Sequence, residues 1–187
     1  MKGLLTILIF IALQPAHAQN NIKYLENLVE KSFEEADGIV SKSNFKILKS
    51  NYIQSTSDTS LYGMEAKWKN AKNEMIYFNR MMDYVPLFSQ EDSSEVGKAK
   101  VIKVTVSLII GGQTQAENII NSLKLSKYKK VSSATPIGDG FEIKYESSNY
   151  ELTYKKVSAG ETHVILYYFI IRGKAYEIVD KVMYPKD

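Results

Sequence analysis

The sequence predicts an α+β fold of two tandem repeats, each a helix followed by a four-stranded antiparallel sheet, with the helices on one side of the sheets. The main support is an internal match: the segment that begins at Gly63 aligns without a gap with the segment that begins at Gly140, 77 positions later. Apolar residues at helical spacing precede both segments, and apolar and polar residues alternate within them, as in strands with one buried face. The match indicates a duplicated architecture, with repeats at about 22–112 and 113–187.

The first 18 residues have the pattern of a secretory signal peptide. Lys2 gives a positive start, an apolar run extends from Leu4 to Leu13, and Ala16-His17-Ala18 fits an Ala-x-Ala cleavage site. A membrane-spanning helix needs about 20 apolar residues, and this run is much shorter. We therefore expect a signal peptide at 1–18 and a secreted domain at 19–187, with no integral membrane segment after cleavage.

A helix is predicted at the start of each repeat. In the first repeat, apolar residues recur at steps of three and four from Ile22 to Val40, which predicts one helix with a single apolar stripe. In the second repeat a shorter stripe follows Gly111-Gly112, and Thr114 with Glu117 has the spacing of a capping box. The first helix is expected to be the longer of the two.

Four strands are predicted after each helix. The first is a short extended segment, and the second begins at the repeated glycine and alternates between an apolar and a polar face. The third carries Met75 and Tyr77 in the first repeat, matched by Leu152 and Tyr154 in the second, all expected to point inward. The predicted strands lie near 45–48, 63–68, 75–77 and 101–110 in the first repeat, and near 128–131, 140–145, 152–154 and 162–171 in the second.

The first repeat contains an insertion before its fourth strand. The fourth strands align at an offset of 61 rather than 77, so about 16 extra residues lie within 83–100. The insertion includes the apolar residues Val85, Leu87 and Phe88 beside an acidic, serine-rich run. Long loops are often functional or simply flexible, and the sequence leaves both interpretations open.

The tail from Lys174 to Met183 has apolar residues at helical steps. We expect it to form a short helix, with a last edge strand as the alternative.

Composition excludes several classes of function. The chain has no cysteine, so we expect neither a lipid anchor nor disulfides. The signal peptide, in turn, predicts export to the periplasm or the cell exterior. Its formal net charge is only +3, with lysine and glutamate interspersed, which argues against nucleic-acid binding.

The two fourth strands differ on their outer faces. The strand at 101–110 alternates apolar and polar residues, whereas the strand at 162–171 is apolar on both faces. The second apolar face is either covered by another part of the chain or exposed as a binding surface. The candidate binding residues are Val164, Leu166, Tyr168 and Ile170, helped by Val85, Leu87 and Phe88 of the insertion.

The sequence carries no catalytic or metal-binding signature. His163 is the one histidine after the signal segment, and it falls on the inner face of a strand. The acids Glu65, Glu74, Glu142 and Glu151 fall on the polar strand faces beside lysines, where cross-strand ion pairing explains them. We therefore expect no enzyme activity, no cofactor and no metal.

The order of elements and the duplication resemble those of the tandem-repeat β-lactamase inhibitory proteins and related small envelope modules. This resemblance implies a sheet face and a loop that grip another protein. The sequence thus predicts a non-enzymatic secreted or periplasmic binding module for a protein or an apolar ligand. Two alternatives remain open: a carboxylate-dependent hydrolase acting on envelope polymers, and a structural subunit of an envelope complex.

Overall fold

The computed structural model describes residues 22–54, 61–85, 96–124, 126–160, 164–174 and 179–183, and in these ranges the side chains at 53–54, 61–62, 83–85, 96–102 and 179–183 are not described. The described residues form three helices and ten strands. The helices are α1 (Ile22–Val29), α2 (Phe33–Lys42) and α3 (Gln113–Lys124). The strands are β1 (Lys46–Gln54), β2 (Leu61–Lys69), β3 (Met75–Val85), β4 (Val96–Ile110), β5 (Lys129–Lys130), β6 (Thr135–Ile137), β7 (Gly140–Glu146), β8 (Tyr150–Ala159), β9 (Val164–Gly173) and β10 (Val179–Met183).

The strands form one open antiparallel sheet, which confirms the predicted α+β class. Its order is β1-β2-β3-β4-β9-β8-β7-β5, with β6 beside β7 and β10 beside β4. The central pair is β4 with β9, which runs from Thr105 opposite Arg172 to Ile110 opposite Tyr167. This pair joins the first four strands to the later ones in a continuous sheet.

One face of the sheet carries the core. Alternate residues of the strands are buried there, such as Trp68 opposite Ile76 and Leu108 opposite Phe169. All three helices add buried side chains to the same cluster. Helix α1 packs on β4 and β9, and α2 packs on β1 and β2. We call this side the core face and the opposite side the open face.

The predicted long first helix is two helices. The apolar stripe continues across both, but the chain leaves helical geometry before Ser32. The Ser32 hydroxyl accepts a hydrogen bond from the Glu35 backbone nitrogen at 3.3 Å, and the Glu35 side chain accepts one from the Ser32 nitrogen at 3.1 Å. This capping box starts α2, so the prediction of one continuous helix is wrong.

The third strands match in sequence, but the matched residues are not equivalent in the structure. Tyr77 lies opposite Lys67 on the open face, whereas Tyr154 is buried on the core face opposite Ile143. The reason is hairpin length, because Trp68 pairs eight positions ahead with Ile76, while Tyr145 pairs seven ahead with Leu152. A one-residue change moves every following side chain to the other face. The prediction that Met75 and Tyr77 point inward is therefore wrong.

The insertion and the tail both form strands where they are described. Strand β3 extends to Val85 and β4 begins at Val96, so residues 83–85 and 96–100 lengthen the two paired strands. Residues 179–183 form β10, which pairs with 96–100 of β4. The predicted helix in the tail is wrong over these residues, because the chain passes from β9 to a second pairing along β4.

Polar contacts connect α1, and Glu30 directly after it, to the second half of the chain. The Tyr150 hydroxyl donates to the Glu30 carboxylate, and Lys127 Nζ lies 3.4 Å from Glu26 Oε2. The same ammonium lies 4.9 Å from the Tyr150 ring centroid. Burial, together with the nearby Glu26 carboxylate, raises the pKa of Tyr128. These contacts and the apolar face of α1 tie the two halves into one unit.

Candidate binding surface on the open face of the sheet

The open face is accessible over most of the described strands. Where side chains are described, those on this face are partly or fully exposed in β1 to β4 and in β7 to β9, apart from the buried Gly63 and Ser107. In the part of the chain that the structure describes, this face therefore has no second layer comparable with the helices. Residues outside those ranges are not included in this statement.

Four of the predicted site residues lie together on this face. Val164, Leu166, Tyr168 and Ile170 alternate along β9, and we call them the β9 stripe. Val164 is 51% exposed, and the other three are partly exposed.

The alternation of β9 separates the stripe from the core. Tyr167, Phe169 and Ile171 point to the core face and are at most 3% exposed. A central strand needs these inward side chains to complete the core, but nothing on the core face requires apolar side chains at the positions between them. The β9 stripe is therefore apolar surface that the described core does not use.

Neighbouring strands widen the β9 stripe. Ile109 lies opposite Tyr168, and Met75 lies opposite Ile109, so three strands contribute to one apolar row. On the other side, Val157 lies opposite Leu166. Sequence reasoning missed these neighbours because register decides which residues join across strands, and it had assigned Met75 to the core.

The β9 stripe also runs past the end of β4. The last β4–β9 pair is Ile110 with Tyr167, so residues 164–166 pair with β8 but not with β4. Val164 on the open face and Ile165 on the other are 51% and 40% exposed. The end of the β8–β9 hairpin thus exposes apolar side chains on both faces and a free backbone edge among the described residues.

Of the three insertion residues, Val85 lies well away from the β9 stripe along its strand. Val85 lies at the end of β3, whereas Met75 at its start shares a row with Tyr168. Val85 is ten residue steps from Met75, which is about 33 Å at the usual rise of a strand. Leu87 and Phe88 lie outside the described residues.

A charged depression adjoins the β9 stripe at Ile170. It has a volume of about 450 Å³ and is open to solvent. Two ion pairs lie within it or at its rim, because Lys174 Nζ lies 3.0 Å from Glu146 Oε2 and Arg172 Nη1 lies 4.0 Å from Glu151 Oε2. The Thr105 hydroxyl on its wall is buried and has no hydrogen-bond partner among the described residues.

The repeated glutamates are held by neighbours on the open face. Glu65 accepts hydrogen bonds from the Tyr77 hydroxyl and the Asn79 amide. Burial raises the pKa of Tyr77 to about 12, and the Glu65 carboxylate adds to this shift. Glu142 lies 3.1 Å from Lys155 Nζ, and this ammonium is the main cause that lowers the pKa of the Glu142 carboxyl.

Glu74 differs from the other repeated acids. It is buried in the β2–β3 turn, where it accepts a hydrogen bond from the Asn70 amide at 2.6 Å. Its prediction as a residue of the polar strand face is wrong, because the turn side chains fold back on one another.

The described residues contain neither a cluster of metal ligands nor a membrane-spanning helix. Among them no three histidine, aspartate or glutamate side chains cluster in a way that fits a metal. No helix within the described ranges has the length and apolar character that crossing a membrane requires. His163 lies outside the described residues.

No protein family, no curated protein and no solved structure shows significant similarity to this chain.

Proposed function

We propose that the protein is a non-enzymatic binding module that recognises a partner through the open face of its sheet. The observation that carries the proposal is the β9 stripe, an apolar row with Ile109 and Met75 as its continuation, on a face with no second layer among the described residues. Contiguous exposed apolar surface on a folded protein marks an interaction site more often than isolated apolar residues do.

The surroundings of the stripe suit recognition of a protein. Small-molecule sites usually enclose most of their ligand. Here the apolar row lies on an open sheet, and the adjoining depression carries paired charges. An apolar centre with a polar rim is the usual anatomy of a protein interface. A protein is therefore the favoured partner, and a small apolar ligand is the alternative.

Export and duplication form part of the same proposal. The residues at 1–18 support secretion to the periplasm or the cell exterior, without a lipid anchor. The strand order supports two copies of a helix-plus-four-strand unit, since β1-β2-β3-β4 meets β9-β8-β7-β5 at the central pair. Gly63 and Gly140 would be equivalent, because each faces a backbone carbonyl of the next strand.

Capture experiments with matched variants test the binding proposal. The immobilised wild type and the Leu166→Ser/Tyr168→Ser variant are incubated with envelope and secreted fractions of the source organism. A partner should be retained by the wild type and lost by the variant, because the serines remove the apolar contact area. Val131→Ser is the control, since Val131 is 52% exposed on the segment that follows β5. Equal retention by all three proteins would contradict the proposal.

A hydrolase is the second candidate because of one pair of acids. Glu146 and Glu151 lie directly opposite each other on β7 and β8 and line the charged depression. Two carboxylates that face a common cleft are the minimum for glycoside hydrolysis. The test is cleavage of labelled envelope polysaccharide by the wild type. Cleavage that is abolished in Glu146→Gln and in Glu151→Gln would establish a hydrolase rather than a binding module. The repeated acids Glu65 and Glu142 do not line this depression.

A further inference from the structure

Four lysines lie together on the open face at the β1 end of the sheet. Lys46 is directly opposite Lys69, and Lys49 is directly opposite Lys67. Directly opposed residues on neighbouring strands have Cβ atoms about 5 Å apart, and like charges at such positions destabilise a sheet. We call these residues the lysine quartet.

A β-bulge places the quartet on one face. Lys46 and Lys49 are three positions apart and would fall on opposite faces of a regular strand. The register shift between Ile47 and Lys49 turns both lysines to the face that carries Lys67 and Lys69. Bulges commonly redirect side chains at sheet edges, and this one creates the like-charge contact instead of avoiding it.

No carboxylate of the described residues forms an ion pair with the quartet. Glu65 lies on the same face of β2, but it accepts hydrogen bonds from Tyr77 and Asn79, while Lys67 lies over the Tyr77 ring at 5.5 Å. The other end of the sheet differs. There Glu142 lies 3.7 Å from Lys144 and 3.1 Å from Lys155, so these two lysines have an acid as a partner.

Strand β1 is also an edge strand with exposed apolar side chains. Among the described residues, β2 is its one sheet neighbour, so its second backbone edge has no pairing strand. Ile47, Leu48 and Tyr52 are 45%, 57% and 83% exposed. Ile47 and Tyr52 lie opposite Trp68 and Met64, which places them on the core-face side of the edge.

We propose that β1 is a docking edge for an extended acidic segment of another protein, which pairs with the free edge as an additional strand. Its acidic side chains lie on the open face beside Lys46 and Lys49, and its apolar side chains lie on the core-face side beside Ile47 and Tyr52. Strand addition obtains affinity from backbone hydrogen bonds and specificity from alternate side chains. The incoming carboxylates relieve the repulsion within the quartet, which is the charge complementarity that selects this partner.

A synthetic peptide of alternating glutamate and valine tests this inference on the chain from residue 19 to residue 187. We expect the labelled peptide to bind, measured by fluorescence anisotropy, and to slow hydrogen exchange of backbone amides within 46–54. A peptide of alternating lysine and valine should not bind. A Glu–Val peptide methylated at every backbone nitrogen keeps its charge but cannot donate backbone hydrogen bonds, and its affinity should fall at least tenfold.

Charge reversal at one lysine separates docking from a structural role. Lys49→Glu creates an opposite-charge pair with Lys67, so the urea midpoint should rise while peptide affinity falls at least tenfold. Lys124→Glu changes the net charge equally at an exposed position of α3 and should leave the affinity unchanged. A variant that is more stable and binds less is the signature expected of a docking edge.

Three results would overturn the inference. If the methylated and unmethylated Glu–Val peptides bound with equal affinity, binding would depend on charge attraction alone and not on strand addition. Tighter binding to phosphatidylglycerol vesicles than to the peptide, with the same dependence on Lys49, would assign the edge to a lipid surface. A stable dimer in sedimentation that Lys49→Glu dissociates would assign it to a second copy of the chain.

Discussion

Two glycines show how tightly single residues are confined within this sheet. A Cβ added to Gly63 would lie 2.5 Å from the Arg80 carbonyl oxygen, and one added to Gly140 would overlap the carbonyl oxygen of Lys156. In both places a neighbouring backbone occupies the position of a side chain. Gly38 in α2 is the opposite case, because nothing lies within 4 Å of its added Cβ.

We predict opposite effects of alanine at these glycines. Gly140→Ala should lower the free energy of unfolding by about 1–3 kcal/mol, the usual cost of overpacking. Gly38→Ala should raise it by about 0.5–1 kcal/mol, because alanine favours a helix interior. Urea unfolding followed by fluorescence of Trp68, the one tryptophan, measures both. A neutral Gly140→Ala would contradict the close approach of β7 and β8.

Tyr77 should make stability depend on pH in the alkaline range. Its pKa is raised to about 12, chiefly by burial and then by Glu65. Tyrosine in an unfolded chain ionises near pH 10, so the protonated hydroxyl stabilises the fold fully below about pH 10. This contribution is lost as the pH rises to about 12. Unfolding of Tyr77→Phe should therefore show a smaller fall in stability over that interval, and an identical fall would refute the assignment.

At the scale of elements, the boundary between α1 and α2 depends on a few polar contacts. The apolar positions of the two helices form one continuous pattern, so nothing on the buried side requires the break. The capping box of Ser32 and Glu35 supplies the partners that the first turn of α2 would otherwise lack. The side chain of a partly exposed serine therefore marks where this helix starts.

Ser32→Ala should destabilise the protein by about 1 kcal/mol, the usual effect of losing an N-cap hydroxyl. Ser133→Ala, at an exposed serine between β5 and β6, is the matched control and should change stability little. Urea unfolding measures the difference between the two variants. Equal effects would show that the break does not depend on the cap.

The elements show which features of the fold the sequence could predict. Period-two alternation predicted β2, β4 and β7 and their buried faces, because burial on one side imposes that period. The prediction that Met75 and Tyr77 point inward was wrong. It relied on identical residues at a fixed offset, whereas the hairpin of the first half is one residue longer than that of the second. The prediction of a helix in the tail was wrong because the short apolar pattern fits a helix and a strand alike. Pairing with β4 decides in favour of the strand.

At the scale of the whole molecule, one core joins the two halves of the sequence. The β4–β9 pair lies at the centre of the sheet, and α1 packs on both strands. The Tyr150 contact with Glu30 and the Lys127 contact with Glu26 add polar links between the same halves. The open face is therefore a continuous surface to which both halves contribute.

The candidate site was partly predictable at this scale. The unusual composition of the strand at 162–171 pointed to the β9 stripe, because an apolar outer face departs from the alternation of its counterpart. The contribution of Ile109 and the separation of Val85 from the stripe depend on register and distance, which composition does not carry. The lysine quartet was hidden for a similar reason, since a bulge brings Lys46 and Lys49 to one face.

Unfolding of two matched β9 variants tests most directly whether the β9 stripe is free surface. Tyr168→Thr/Ile170→Thr changes the open face, and Phe169→Thr/Ile171→Thr changes the core face, while threonine keeps the strand preference in both. We expect the core-face variant to lose several kcal/mol or fail to fold, because it removes buried side chains. The open-face variant should lose about 1 kcal/mol or less in urea unfolding. Comparable losses in the two variants would show that the stripe is core and would contradict its assignment as a binding surface.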